Sequence, residues 1–292
     1  MPLPRTALLA ATGAIGVLVA AVLLHLSAAG MVQTAAGTAL LIGSSAVALN
    51  ASRVRPLAAG RAIPAVLAAT AANAVTPAGL GGSALMARLH ARTGLNGDEA
   101  IAAVTLRALA SGVAGILVAS VAAATLGLEG PHLPGGAKLP LIAGVLVVGA
   151  VAFGLACPHR RGRVAGHLRR TAAAAATVLT RPWRTAALVA GAVGVIAAQL
   201  LILDGAVRAV GGHVGIGPLL VTLLGSSAAR AALPSPGGVG PVEAALVAGL
   251  AALGVPMAAA AVAVGVYRTA GLWLPVLAGI IALRRLRVLG LL

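Results

Sequence analysis

"LPSPGGVGPVEAAL", residues 233–246, is the stretch on which the fold turns. It carries three prolines, three glycines and a glutamate, and apolar runs lie on both sides of it. Proline removes a backbone donor and glycine weakens a helix, so no continuous apolar helix passes through it. A chain interrupted inside a bilayer leaves N–H and C=O groups that lipid cannot satisfy. Such a break is tolerated only against protein or a water-filled cavity. The segment therefore predicts a broken helix facing an interior space.

The surroundings put that break at membrane depth. The 292 residues are 60% apolar and 9% charged, with a mean hydropathy of +1.06. Soluble domains carry about a quarter charged residues. The sequence is that of an all-α polytopic membrane protein. Its net charge of +16 comes from 21 Lys and Arg against five acids, and aromatics make up 1%. The basic residues cluster between apolar runs, which reads as topology and contact with anionic lipid, not as nucleic-acid binding. The one cysteine, Cys157, allows no internal disulfide, and the six histidines lack metal-ligand spacing. No metal and no cofactor are expected.

Spans of roughly 20 apolar residues are expected near Ala7–Gly30, Thr34–Asn50, Ala100–Gly127, Leu139–Cys157, Thr185–Leu203 and Met257–Leu283. Two further apolar regions, Ala62–Leu95 and Val214–Gly254, are too long for one span and contain Pro/Gly clusters. Each is either two short spans or a re-entrant helical hairpin. Arg5, Arg53, Arg55, Arg61, the arginines from Arg160 to Arg184, and Arg284, Arg285 and Arg287 mark the cytoplasmic side, with both termini inside. The connections Ser27–Gln33, "LEGPHLPGGAK" and "DGAVRAVGGHVGIG" fall outside. Residues 159–185 predict an interfacial helix anchored by Trp183, or a plain basic loop. The chain reads as one transmembrane domain, 1–292. Its parts are a helical hairpin (1–60), a first repeat (61–127), connecting spans with a basic loop at 158–184 (128–204), and a second repeat (205–292).

The two interrupted regions resemble each other. Aligning Pro77 of "TPAGLGGSAL" with Pro236 places Gly79 on Gly238 and Gly81 on Gly240. The broken-helix motifs are then Pro77, Gly79, Gly81 and Gly82 in the first copy. In the second they are Pro234, Pro236, Gly237, Gly238 and Gly240. Each copy is followed by an arginine inside a predicted span, Arg107 and Arg268. The expected topology enters the first break from the cytoplasm and the second from outside, an inverted repeat of the kind that surrounds a substrate site in transporters.

Glu243 falls in the first turn of a helix beginning near Gly240, where its carboxylate meets free N–H groups. It either starts that helix or lines a pathway and pairs with Arg268, and the two readings are compatible. Arginines within spans need an acid, exposed carbonyls or a phosphate. Arg107, Arg230 and Arg268 are accordingly either structural ties or headgroup contacts. Asp204 and Arg208 are spaced as a local ion pair. No P-loop, HExxH or Ser-His-Asp set is present, so an enzymatic role is not expected.

The C-terminal residues 233–287 resemble the closing motif of the lysylphosphatidylglycerol synthase transmembrane, or flippase-like, family. The resemblance rests on Pro236, Gly237, Gly238, Glu243, Tyr267, Arg268, Trp273 and Pro275. "NAVTPAGLGGSALMARLHARTGL" and "LILDGAVRAVGG" are similar to its upstream halves, although Ser83 stands where some relatives have an acid. The resemblance implies a stand-alone member without the aminoacyl-transferase domain. It implies a translocase for an amphiphile with a phosphate-bearing or anionic headgroup, such as a modified phospholipid or lipid-linked glycan, with membrane lipid as partner. The alternative is a non-transporting membrane partner of a glycosyltransferase or lipid-modifying enzyme.

Overall fold

The computed structural model describes residues 26–76, 80–125, 161–233 and 235–291. Within these residues every regular element is a helix. In chain order they are α1 (Ala28–Ala51), α2 (Ala59–Ala74), α3 (Leu80–Arg92), α4 (Gly97–Thr125) and α5 (Arg161–Leu179). They continue with α6 (Pro182–Ala209), α7 (Ile216–Ala232), α8 (Pro241–Ala252), α9 (Met257–Arg268) and α10 (Leu274–Val288). Among the described residues α1, α4, α6 and the continuous α9–α10 rod are long and apolar enough to cross a membrane. Along α4, Ile101, Leu109, Val113, Leu117 and Val121 are exposed, as lipid-facing side chains are. Most of the expected span Ala7–Gly30, and all of Leu139–Cys157, lie outside the described residues.

An antiparallel pair, α1 against α6, is the spine. At one end the Ser27 amide donates to the Ala209 carbonyl (2.9 Å). At the other, Arg184 donates to the carbonyls of Arg53 and Val54 (2.7 and 2.8 Å). Glycines let the backbones touch between these ends. A Cβ on Gly205 would lie 2.8 Å from the Thr34 nitrogen, and one on Gly191 2.8 Å from the Ala48 nitrogen. Helices in lipid gain no hydrophobic association energy, so close packing of small residues is what joins them. This packing corrects the expected outside loop at Ser27–Gln33. Ser27 accepts from the Gly30 amide as N-cap, and the helix begins at Ala28 because Gly30 and Thr34 belong to the spine.

Both interrupted regions are helical hairpins. The arms α2 and α3 pack on each other, as do α7 and α8. The arms are 16, 13, 17 and 12 residues long. At 1.5 Å per residue that is roughly 18–26 Å, short of the ~30 Å hydrocarbon thickness. The re-entrant form is the one these lengths fit. The open end of the first hairpin sits at the Arg53 end of the spine, where Arg53 contacts His90 and donates to Thr93 Oγ1 (2.8 Å). The open end of the second sits at the other end, where Leu219, Leu250 and Val255 share a core with Val207. The tips meet: a Cβ on Gly237 would lie 3.4 Å from the Ala74 carbonyl. The two hairpins thus reach this contact from opposite ends of the spine.

The last rod is uninterrupted but not uniform. A π-helical turn, Thr269–Trp273, separates α9 from α10 and precedes Pro275, which has no N–H to give the ladder. α10 packs along α2, with Gly279 against Leu67 and Ala71. Residues 161–179 of the basic segment form a helix, and Trp183 is exposed in the first turn of α6.

Candidate functional site

The second break is built from glycine geometry. Pro236–Gly238 makes one 3-10 turn in which Gly237 and Gly238 have φ of 62° and 70°, and Gly240 has φ of 97°. These values lie in the left-handed region that side chains other than glycine disfavour. A Cβ on Gly238 would in addition lie 2.9 Å from Arg230 Cδ. Pro241 then starts α8, its missing N–H costing nothing at that position.

Glu243 stands at the third position of α8 and works in two directions. Its Oε2 accepts from the Gly240 amide (2.7 Å), and its Oε1 accepts from Arg268 Nε (2.5 Å). Arg268 Nη2 donates to the Gly237 carbonyl (2.9 Å). One guanidinium therefore ties the helix-start carboxylate to a carbonyl that the break frees from any helical ladder. Arg268 is buried and already partnered, so the pair closes the break. Both sequence readings of Glu243, helix start and partner of Arg268, describe this one arrangement.

The first break is closed by neutral groups. Thr76 Oγ1 accepts from the Gly81 amide (2.8 Å), and Asn73 Oδ1 accepts from the Gly82 amide (2.6 Å). This corrects the assignment of Gly81 and Gly82 to the break itself. They occupy the first turn of α3, and their lack of a side chain makes room for Thr76 and Asn73. Relative to the Pro77–Pro236 alignment the first helix starts earlier. Pro77, Gly79 and Pro234 lie outside the described residues.

Where the tips meet there is a cavity of about 450 Å³, lined among others by Thr70, Asn73, Gln199, Arg230, Ser235 and Gly237. A pocket of about 80 Å³ extends it past Gln199, Ser227 and Arg230 to Tyr267 and Arg268. A third, of about 230 Å³, shares Ser45, Thr70 and Asn73 with the first and reaches His90 and Arg107. The four charged residues expected at the site thus divide. Arg230 lines the first two cavities and Arg107 the third, and among the described residues neither has a hydrogen bond or ion pair from the protein. Arg268 and Glu243 hold each other.

The family model for the lysylphosphatidylglycerol synthase TM region matches residues 5–279. The chain belongs to this family. The match takes in both hairpins, the spine and the first part of α10, to residue 279. No curated protein matches the chain at a significant level. Membership of this family, a membrane region by description, agrees with the helical, lipid-facing architecture.

Sequence reasoning missed the polar residues that line or close this interior. Thr70, Asn73 and Gln199 stand singly in apolar runs, and that isolation is the signal that would have found them, while Ser235 lies inside the Pro/Gly break. It also read Arg53 and Arg184 only as topology signals and missed their burial, at 1% and 5% exposed. Arg53 donates to the Arg55 carbonyl (2.9 Å) and contacts His90 Nδ1. Asp204 and Arg208 form the expected pair (2.8 Å), and Gln33 Nε2 joins them from α1 (2.6 Å).

Proposed function

We propose that the chain is a flippase-like translocase of the cell membrane, moving an amphiphile whose headgroup carries a phosphate or other anionic group. The carrying observation is Arg230, unpartnered by protein in the cavity where two oppositely entering hairpins meet. A planar guanidinium fork suits phosphate, and breaks of this kind sit beside substrate in transporters. The headgroup passes the tip cavity on Arg230 and the lateral pocket on Arg107, while acyl chains stay in lipid. Arg268 and Glu243 shape the cavity rather than carry cargo. The positive-inside rule puts the Arg53 and Arg184 end in the cytoplasm. The cavity lining offers no acid–base pair among the described residues, which favours transport over chemistry.

The test is a leaflet-resolved assay with labelled phosphatidylglycerol in reconstituted vesicles. Hydrogen bonds to charged groups are worth about 1.5–3 kcal/mol, so Arg230→Gln is expected to slow protein-dependent movement by about tenfold or more. A parent protein that moves no headgroup-bearing lipid, or an Arg230→Gln variant as fast as the parent, overturns the proposal. A second reading, a non-transporting partner of a lipid- or glycan-modifying enzyme, draws on the exposed Arg169 and Arg170 of α5. Stoichiometric co-purification of such an enzyme, with its output unchanged in Arg230→Gln, is the result that selects it.

A further inference from the structure

The polar groups around the three connected cavities are strongly one-sided. Arg107, Arg230 and Arg268 line them, and among the described residues no aspartate or glutamate does. The embedded acids are engaged elsewhere. Each oxygen of Glu243 already accepts a hydrogen bond, one from the Gly240 amide and one from Arg268. Asp204 lies by the Ser27 end of the spine and accepts from Gln33 and Arg208. In the tip cavity the remaining polar lining is uncharged: the hydroxyls of Ser45, Thr70, Ser227 and Ser235, and the amides of Asn73 and Gln199. Ser235 Oγ is buried with no protein partner, which leaves it a hydrogen bond to offer a ligand.

From this lining we infer that the cargo headgroup is a polyol phosphate, a phosphodiester bearing uncharged hydroxyls, and not an aminoacylated headgroup of the kind the family's name contains. The inference rests on the translocase reading and sharpens its substrate class. An aminoacyl ester adds ammonium groups. In these cavities an ammonium meets guanidinium charge at close range and finds no carboxylate, and like charges brought together in a desolvated site oppose binding. A hydroxyl finds donors and acceptors of its own kind on Ser227, Ser235, Asn73 and Gln199, while Arg230 takes the phosphate. The tip cavity, about 450 Å³, lies within the size range of small-ligand sites, and a glycerophosphate group fits that range.

The experiment is competitive binding to the purified full chain in phosphatidylcholine nanodiscs, with a fluorescent short-chain phosphatidylglycerol as probe. Competitors are unlabelled short-chain phosphatidylglycerol, its lysyl ester, and sn-glycerol 3-phosphate. The lysyl ester is expected to compete about tenfold or more weakly than phosphatidylglycerol, the reverse of an acid-lined site. Arg230→Gln is expected to weaken the probe about tenfold, with the exposed Arg287→Gln unchanged as a control for general surface charge. A lysyl ester that competes equally or better overturns the inference and leaves the translocase reading standing. Absence of probe binding overturns it as well. Equal competition by sn-glycerol 3-phosphate keeps the headgroup chemistry but makes the cargo a soluble polyol phosphate, which overturns its lipid assignment. The expected order of binding without transbilayer movement overturns translocation and supports the headgroup class.

Discussion

Arg268→Ala is expected to destabilise the protein by about 3–5 kcal/mol, the usual cost of removing one partner from a buried ion pair. The loss has three parts. Glu243 keeps a charge at 2.5 Å from where its guanidinium stood, the Gly237 carbonyl loses its donor, and a side chain 9% exposed leaves a void. Glu243→Gln should cost less, because glutamine at the third helical position still accepts from the Gly240 amide. The double variant Arg268→Ala, Glu243→Gln is expected to be more stable than the two single losses summed, since the stranded charge is gone. Thermal unfolding in one fixed detergent measures all four proteins. Additive losses would mean the two side chains do not act as a pair.

Gly205→Leu is expected to prevent assembly of the spine. Its Cβ alone would stand 2.8 Å from the Thr34 nitrogen and 2.9 Å from the Gly30 oxygen, both backbone atoms that cannot turn aside. The helices α1 and α6 would have to separate, and close contact is their main source of attraction in lipid. Gly43→Leu is the matched control. It adds the same side chain to the other helix of the pair at a position with nothing within 4 Å. Monodisperse yield and proteolytic resistance of the two variants report the difference. Equal behaviour would show that α1 and α6 do not pack through Gly205.

The parts that were legible in the sequence are those where one residue type has one physical use. Pro236, Gly237 and Gly238 announced a break, Pro241 and Glu243 a helix start, and Arg268 a buried charge in need of a partner. What was not legible depends on which neighbour arrives. Gly81 and Gly82 look like part of a break, yet Asn73 and Thr76 turn them into a capped helical turn. Arg53 and Arg184 look like topology signals, yet they knot the end of the spine to the first hairpin. Nothing in the apolar pattern distinguishes Arg230, open to the cavity, from Arg268, closed off by Glu243. That distinction needs the fold of the glycine turn between them.

Two hairpins from opposite ends of the spine meet at Ala74 and Gly237, and on the proposed function cargo passes beside this contact. A cysteine at each of these positions, with Cys157 changed to serine, tests it directly. A Cβ on Gly237 would lie 3.5 Å from Ala74 Cα, so cysteines at the two positions are neighbours, the one at 237 carrying the left-handed φ of 62° that glycine supplies. The account predicts that mild oxidation bridges the two cysteines within one chain, that lipid movement then stops, and that reduction restores it. Failure of the bridge to form in the folded protein, or undiminished lipid movement through a bridged one, would contradict it.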